Sequence, residues 1–276
     1  MKEGFLMWIP TLFSSLGANL SILFVNVGNS LSEVGIYFVA LMIYNALSRI
    51  PSQVQSILFP VMSGYKISTD QILEKGLIFS LVLIMPFSAM VIGFPEIFLE
   101  IFGKNFVSGS NIVSLLASII IIDTISVMII TSQLSKGKFK NYNLIVLPAS
   151  ITRITLYYFL VPMYGSIGAV ESWIIGSTLG IFITIFIIRQ QEIKIDWKKV
   201  SLIGIIPIAI SFSLKITEIH FIIPLILIFI LSNALYLKMK IIKREDILYI
   251  LNIFSSEEKT EKRYKKIVRV LDKIRL

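Results

Sequence analysis

The sequence predicts an all-α protein, a polytopic membrane helix bundle of about eight transmembrane helices with both termini cytoplasmic. Three observations carry this. The 276 residues are 55% hydrophobic and only 16% charged, against about 25% charge in an ordinary soluble domain. Eight apolar stretches recur along the chain, most of them close to the ~20 residues that cross a hydrocarbon layer of roughly 30 Å. Nearly every Lys and Arg falls in alternate gaps between those stretches.

The spans lie at about 5–27, 35–62, 76–94, 112–134, 143–161, 167–188, 200–214 and 221–237. The first is too long for the apolar core of a signal peptide and lacks a small-residue cleavage site, so it reads as a retained span. The seventh is short and holds Pro207, which makes it the weakest of the eight. Counted by gap, one side of the membrane collects 22 of the 26 basic residues, among them Lys2, Lys136, Lys138, Lys140 and a run after residue 237. The other side has Lys104 and Lys215 alone. The positive-inside rule puts the richer side in the cytoplasm, in a multi-pass protein of the cell (plasma) membrane. The net charge of +9 is then a matter of topology, and no nucleic-acid partner is expected.

With no Cys and a single His, His220, disulfides and thiolate clusters are excluded and no metal site is expected. His220 reads as a loop residue near a membrane surface. No phosphate-cradling glycine loop, no His/Asp/Ser arrangement and no paired acidic motif is present, so the chain does not read as an enzyme. After about residue 243 the chain turns polar. Ser255 and Glu258 fit a capping box, and Ile267, Val270, Leu271 and Ile274 repeat at helical spacing among Arg263, Lys265, Lys266, Arg269 and Lys273. Such a basic amphipathic helix suits anionic membrane lipids, or alternatively a partner protein.

The second span carries Tyr37, Tyr44, Asn45, Ser48, Arg49, Ser52, Gln55 and Ser56 at spacings of three and four, which gathers them on one helix face. The first span has a parallel stripe of Thr11, Ser15, Asn19 and Asn26. Polar faces avoid lipid and line helix contacts or a water-filled cavity. Arg49 lies near mid-membrane, two residues before a kink at Pro51, where an Arg costs at least ~2.5 kcal/mol unless it meets a partner, water or an anion. A guanidinium suits a phosphate; a salt bridge to Asp123 is the structural alternative. Arg153, on a face shared with Ser150 and Tyr157, is the second basic residue that topology does not require, with Asp123 or Glu171 as possible partners. Asp123 and Glu171 are also candidates to carry a coupling proton or sodium ion. Gly176 and Gly180, extended by Ser172 and Thr184, form a small-residue stripe for close helix packing.

Several ordered segments resemble the C-terminal half of the oligosaccharide flippases, the polysaccharide transporters of the multidrug/oligosaccharidyl-lipid/polysaccharide exporter superfamily. They are Glu33-Val-Gly-Ile-Tyr-Phe-Val-Ala40, Ile50-Pro51 with Leu58-Phe59-Pro60, Ile101-Phe102-Gly103-Lys104-Asn105-Phe106, Gly137-Lys138, and Val161-Pro162-Met163-Tyr164-Gly165-Ser166-Ile167-Gly168-Ala169. The resemblance implies a six-helix transporter lobe over 1–190, two additional helices over 191–240 and the cytoplasmic tail over 241–276. It also implies a central cavity shared with a second lobe, here from another chain or a second copy, since a family member is nearly twice this length. The implied substrate is a polyprenyl-phosphate- or diphosphate-linked oligosaccharide. Arg49, Arg153, Tyr44, Asn45, Ser48 and Asn19 are its candidate binding residues. Glu171 stands where the family usually has an uncharged residue. A cation-coupled exporter of small molecules, using Asp123 or Glu171, and a non-transporting scaffold for glycan assembly are the alternative readings.

Overall fold

The computed structural model describes residues 2–64, 69–216 and 222–241. The capping box, the basic tail helix and His220 lie outside the described residues. Every regular element among the described residues is helical: α1 (Lys2–Gly28), α2 (Leu31–Gly64), α3 (Thr69–Gly93), α4 (Pro95–Glu100), a 3-10 turn (Lys104–Gly109), α5 (Ser110–Ser118), α6 (Ile120–Ser135), α7 (Phe139–Gln190), α8 (Trp197–Lys215) and α9 (Ile222–Lys238). Long apolar runs take this form because a backbone in hydrocarbon must satisfy its hydrogen bonds within its own segment. Among the described residues, six helical segments are long and apolar enough to cross a membrane, with α9 a shorter apolar helix. The protein is a multi-pass membrane bundle.

The structure departs from the expected spans at four places. α2 runs 34 residues, straight through Pro51 and Pro60. The fourth span is not one rod: the 3-10 turn, α5 and α6 follow one another, with Ile119 between the two α-helices. α8 continues unbroken past Pro207 for 19 residues, begun by Asp196, whose carboxylate accepts the Lys199 N–H at 3.1 Å. The fifth and sixth spans form a single helical run of 52 residues, interrupted at Gly165 (φ 58, ψ −136).

A straight helix of that length would measure about 78 Å, more than twice the hydrocarbon thickness. It is instead folded into two arms, 139–164 and 166–190. A Cβ built on Gly176 would sit 2.8 Å from the Ala149 carbonyl oxygen, and one built on Gly180 would sit 3.4 Å from the Ala149 Cβ. Residues so far apart in sequence touch only if the arms run antiparallel. With these two arms and α9, the eight apolar stretches of the sequence are all helical over their described residues. The small residues named from the sequence are the seam: Ser172 and Thr184 are buried and return their hydroxyls to the carbonyls of Gly168 and Gly180, which lets the backbones approach.

α3 is the most buried span and lies at the centre, packed on α2, α5, α6, α8 and α9. α1 lies along α7. Hydroxyl-to-carbonyl bonds stitch the helices together: Ser88 to Ala117 at 2.7 Å, Ser211 to Ala89 at 2.8 Å and Tyr236 to Ile203 at 2.7 Å. At the lysine-rich end, Gln133 and Gln191 bond at 2.9 Å, Asn141 donates to Gln133 at 2.8 Å, and Lys136 pairs with Asp70 at 2.7 Å. At the opposite end, Glu33 Oε1 accepts from the Ser166 N–H at 2.9 Å and the Ser166 hydroxyl at 2.8 Å.

Candidate functional site

A cavity of about 230 Å³ opens in the middle of the bundle, between α2, α6 and both arms of α7. Its polar feature is Asp123 on α6. Tyr44 of α2 donates its phenolic hydrogen to Asp123 Oδ2, and Ser177 of the second α7 arm donates to Oδ1 at 2.9 Å. Two hydroxyls from two other helices therefore hold the carboxylate, in a region where an unsatisfied charge would be expelled.

Arg153, on the first α7 arm, lines the same cavity. Its guanidinium lies over the Trp173 ring, 4.4 Å from the centroid, and Tyr44 meets the same ring edge-on at 5.0 Å. The indole quadrupole attracts the cation, by about 2 kcal/mol or more when the pair is desolvated. Arg153 Nε has no hydrogen-bond partner. No ion pair joins Arg153 to Asp123 or Glu171, or Arg49 to Asp123, among the described residues. The salt bridges considered from sequence are thus replaced by a cation–π stack on one side and a hydroxyl cradle on the other.

Small polar residues also line the cavity. Ser14 of α1 and Ser52 of α2 are exposed, while Ser150 is buried. Ser48 and Ser52 turn their hydroxyls back to the carbonyls of Tyr44 and Ser48, both at 2.8 Å. Pro51, another lining residue, has no N–H to give the carbonyl four residues back.

The candidate binding residues divide between two places. Tyr44, Ser48 and Arg153 line the cavity together with Asp123. Asn19, Asn45 and Arg49 do not; they are exposed on the free faces of α1 and α2. Asn19 is tied to its own helix through the Ser15 carbonyl at 2.8 Å. Arg49 has no hydrogen bond or ion pair among the described residues. It continues an exposed polar stripe with Asn45, Ser52, Gln53 and Ser56, beside Thr11, Ser15, Asn19 and Asn26 of α1. Glu171 is half-buried on the second α7 arm, outside the cavity. Trp173 and Ser177 lie on the face adjoining the small-residue stripe, which no polar pattern in the sequence marks. Their spacing of four, at the depth of Asp123, is the signal that marks them.

The sequence matches no family model and no curated protein. Among solved structures, the chain is similar to the lipid II flippase MurJ in an inward closed conformation, with a TM-score of 0.73 and 15% identity, over 84% of this chain and 53% of that one. At that identity the likeness is one of fold, and this chain spans about half the length of the flippase.

Proposed function

We propose that this chain is one lobe of an alternating-access flippase that carries a polyprenyl-(di)phosphate-linked oligosaccharide across the plasma membrane for surface polysaccharide or glycan assembly. The observation that carries the reading is Arg49, an exposed cation near the middle of a 34-residue span, set in a polar stripe that continues onto α1. A lipid-facing Arg at that depth is costly, whereas a water-filled cavity or an anionic ligand removes the cost. A fold shared with half of a flippase makes this face the natural wall of a cavity between two lobes. The lipid-phosphate head would enter from the cytoplasmic side and meet Arg49, with Arg153 behind it. The stripes of α1 and α2 would contact the sugars while the lipid tail stays in the bilayer. Release would follow rocking of the lobes, as in transporters built from repeats.

Arg49→Ala should abolish surface glycan while the protein still inserts at normal abundance, measured by glycan staining and membrane immunoblotting. Normal glycan in that variant removes Arg49 from transport. A second reading, a cation-coupled exporter of small molecules, is favoured by the mid-membrane carboxylate of Asp123. It predicts substrate efflux that stops in Asp123→Asn while surface glycan is unaffected.

A further inference from the structure

We infer that a buried cluster of hydrogen-bond donors around Arg153 binds a small monovalent anion, of the halide class, inside the lobe. The inference goes beyond the flippase reading, because it does not depend on what the lobe carries.

Four side chains make the cluster, from α2 and both arms of α7. Tyr37 and Tyr157 are fully buried, and Trp173 nearly so. The two phenolic hydroxyls, the Trp173 Nε1–H and the Arg153 Nε–H all lack a hydrogen-bond partner. The groups are contiguous. The Arg153 guanidinium lies 4.4 Å from the centre of the Trp173 ring, and both phenols are within electrostatic reach of Arg153. Ser21 of α1 stands beside the two phenols, but its hydroxyl hydrogen goes to the Ala18 carbonyl at 2.9 Å. Packing from α1 holds the donors in place. Gly17 lets the helix close on Arg153, with a built Cβ 3.7 Å from its Cδ, and the Phe24 ring packs 6.0 Å from that of Tyr157.

The chemistry of the set selects its guest. A guanidinium N–H and an indole N–H can only donate, and a phenol donates readily. Buried groups of this kind are ordinarily partnered, so the cluster calls for an acceptor. Water accepts, but each molecule brings two hydrogens that need acceptors of their own, and it leaves the guanidinium charge unmet. Asp123, the one carboxylate that lines the adjoining cavity among the described residues, is bonded to Tyr44 and Ser177 and makes no ion pair with Arg153. A small anion accepts from every donor at once and meets the charge, through hydrogen bonds that are stronger than neutral ones.

Seclusion narrows the choice further. An ion among fully buried side chains must shed its water, which costs far more for a multiply charged phosphate or sulfate than for a halide. Arg153 supplies the way in. It lines the cavity that Ser14 and Ser52 border from exposed positions, while its Nε is buried on the side of the cluster. A halide held there joins α2 to both arms of α7 through one shared acceptor, and it binds the folded lobe alone, so it stabilises the fold by mass action.

Trp173 is the built-in reporter. With Trp8 and Trp197 replaced by Phe, it is the sole tryptophan of the chain. In lipid nanodiscs at constant ionic strength, exchange of gluconate for chloride should change its emission along a saturable one-site curve. Bromide, a heavy-atom quencher, should darken it along a curve of similar midpoint, and the thermal midpoint should rise in either halide. Tyr37→Phe and Tyr157→Phe keep the rings and each remove one donor to a charged acceptor, so each should weaken halide binding about tenfold. Arg153→Gln should abolish the saturable signal, whereas Lys104→Gln, at an exposed cation outside the cluster, should leave it intact. Emission indifferent to chloride overturns the anion site. So does an Arg153→Gln variant that still titrates, or a pair of Phe variants with unaltered affinity, which would leave the cluster to water. If Arg153→Gln fails to insert, the two Phe variants decide the matter alone.

Discussion

Gly165 and Glu33 show how much a single residue can decide here. Gly165 adopts φ 58, ψ −136, a conformation costing a side-chain-bearing residue on the order of 1–3 kcal/mol. A Cβ there would also run into the Glu33 carboxylate. That carboxylate meets the first N–H of the second α7 arm, where the helix dipole favours negative charge. It is the only side chain among the described residues that bonds to Ser166. Gly165→Ala should therefore lower stability by about 2 kcal/mol or more. Glu33→Ala should cost about 1–3 kcal/mol through two lost bonds to a charged acceptor, and Glu33→Gln less, because one acceptor oxygen remains. Thermal unfolding in detergent, ranked across the three variants, is the check; an undisturbed Glu33→Ala would mean that the contact does not hold the turn.

At the scale of elements, the α7 hairpin is what brings chemistry together. Its first arm supplies Arg153 and Ser150, its second Trp173 and Ser177, and the stack of Arg153 on Trp173 exists only because the arms touch. Gly176 sets that distance, with a built Cβ 2.8 Å from the Ala149 carbonyl and 3.2 Å from the Arg153 Cβ. Gly176→Leu should push the arms apart, lowering stability by about 1–3 kcal/mol and shifting the emission of Trp173 as Arg153 leaves its face; unaltered emission would show that the seam tolerates the side chain. The same hairpin explains what could be read in the sequence. Two apolar stretches separated by Pro162 to Ser166 already implied two spans, and the small-residue stripe implied close helix packing, without naming the partner. The stretch containing Asp123 likewise marked a span, though not its division at Ile119 into α5 and α6. The hydroxyl cradle of Asp123 was illegible because Tyr44, Asp123 and Ser177 come from three helices whose rotation about their axes no periodicity fixes. The polar face of α2 shows the limit well. Tyr44 and Arg49 stand five residues apart, about 140° around the helix, on opposite edges of that broad face, and Tyr44 turns into the cavity while Arg49 turns out to the surface.

For the whole molecule, the exposed surface is of two kinds. Phe182, Phe186, Ile205, Phe212 and Phe229 present large apolar side chains, as a lipid-facing wall should. The exposed faces of α1 and α2 instead mix the polar Thr11, Ser15, Asn19, Asn26, Asn45, Arg49 and Gln53 with the apolar Leu16, Leu23, Phe38 and Met42, and hydrocarbon would solvate the polar ones poorly. On the proposed function, the polar face would meet water and a second lobe, from another chain or a second copy. The chain has no Cys, so single introduced thiols can map the difference without background. In native membranes, Asn45→Cys should react readily with a small hydrophilic maleimide, because the reactive thiolate forms only where water reaches it. Phe186→Cys, likewise exposed on the outside of the bundle but on an apolar wall, should stay unlabelled until the membrane is dissolved. Equal resistance at both positions would mean that lipid covers the face of Arg49, and the two-lobe arrangement would have to be abandoned.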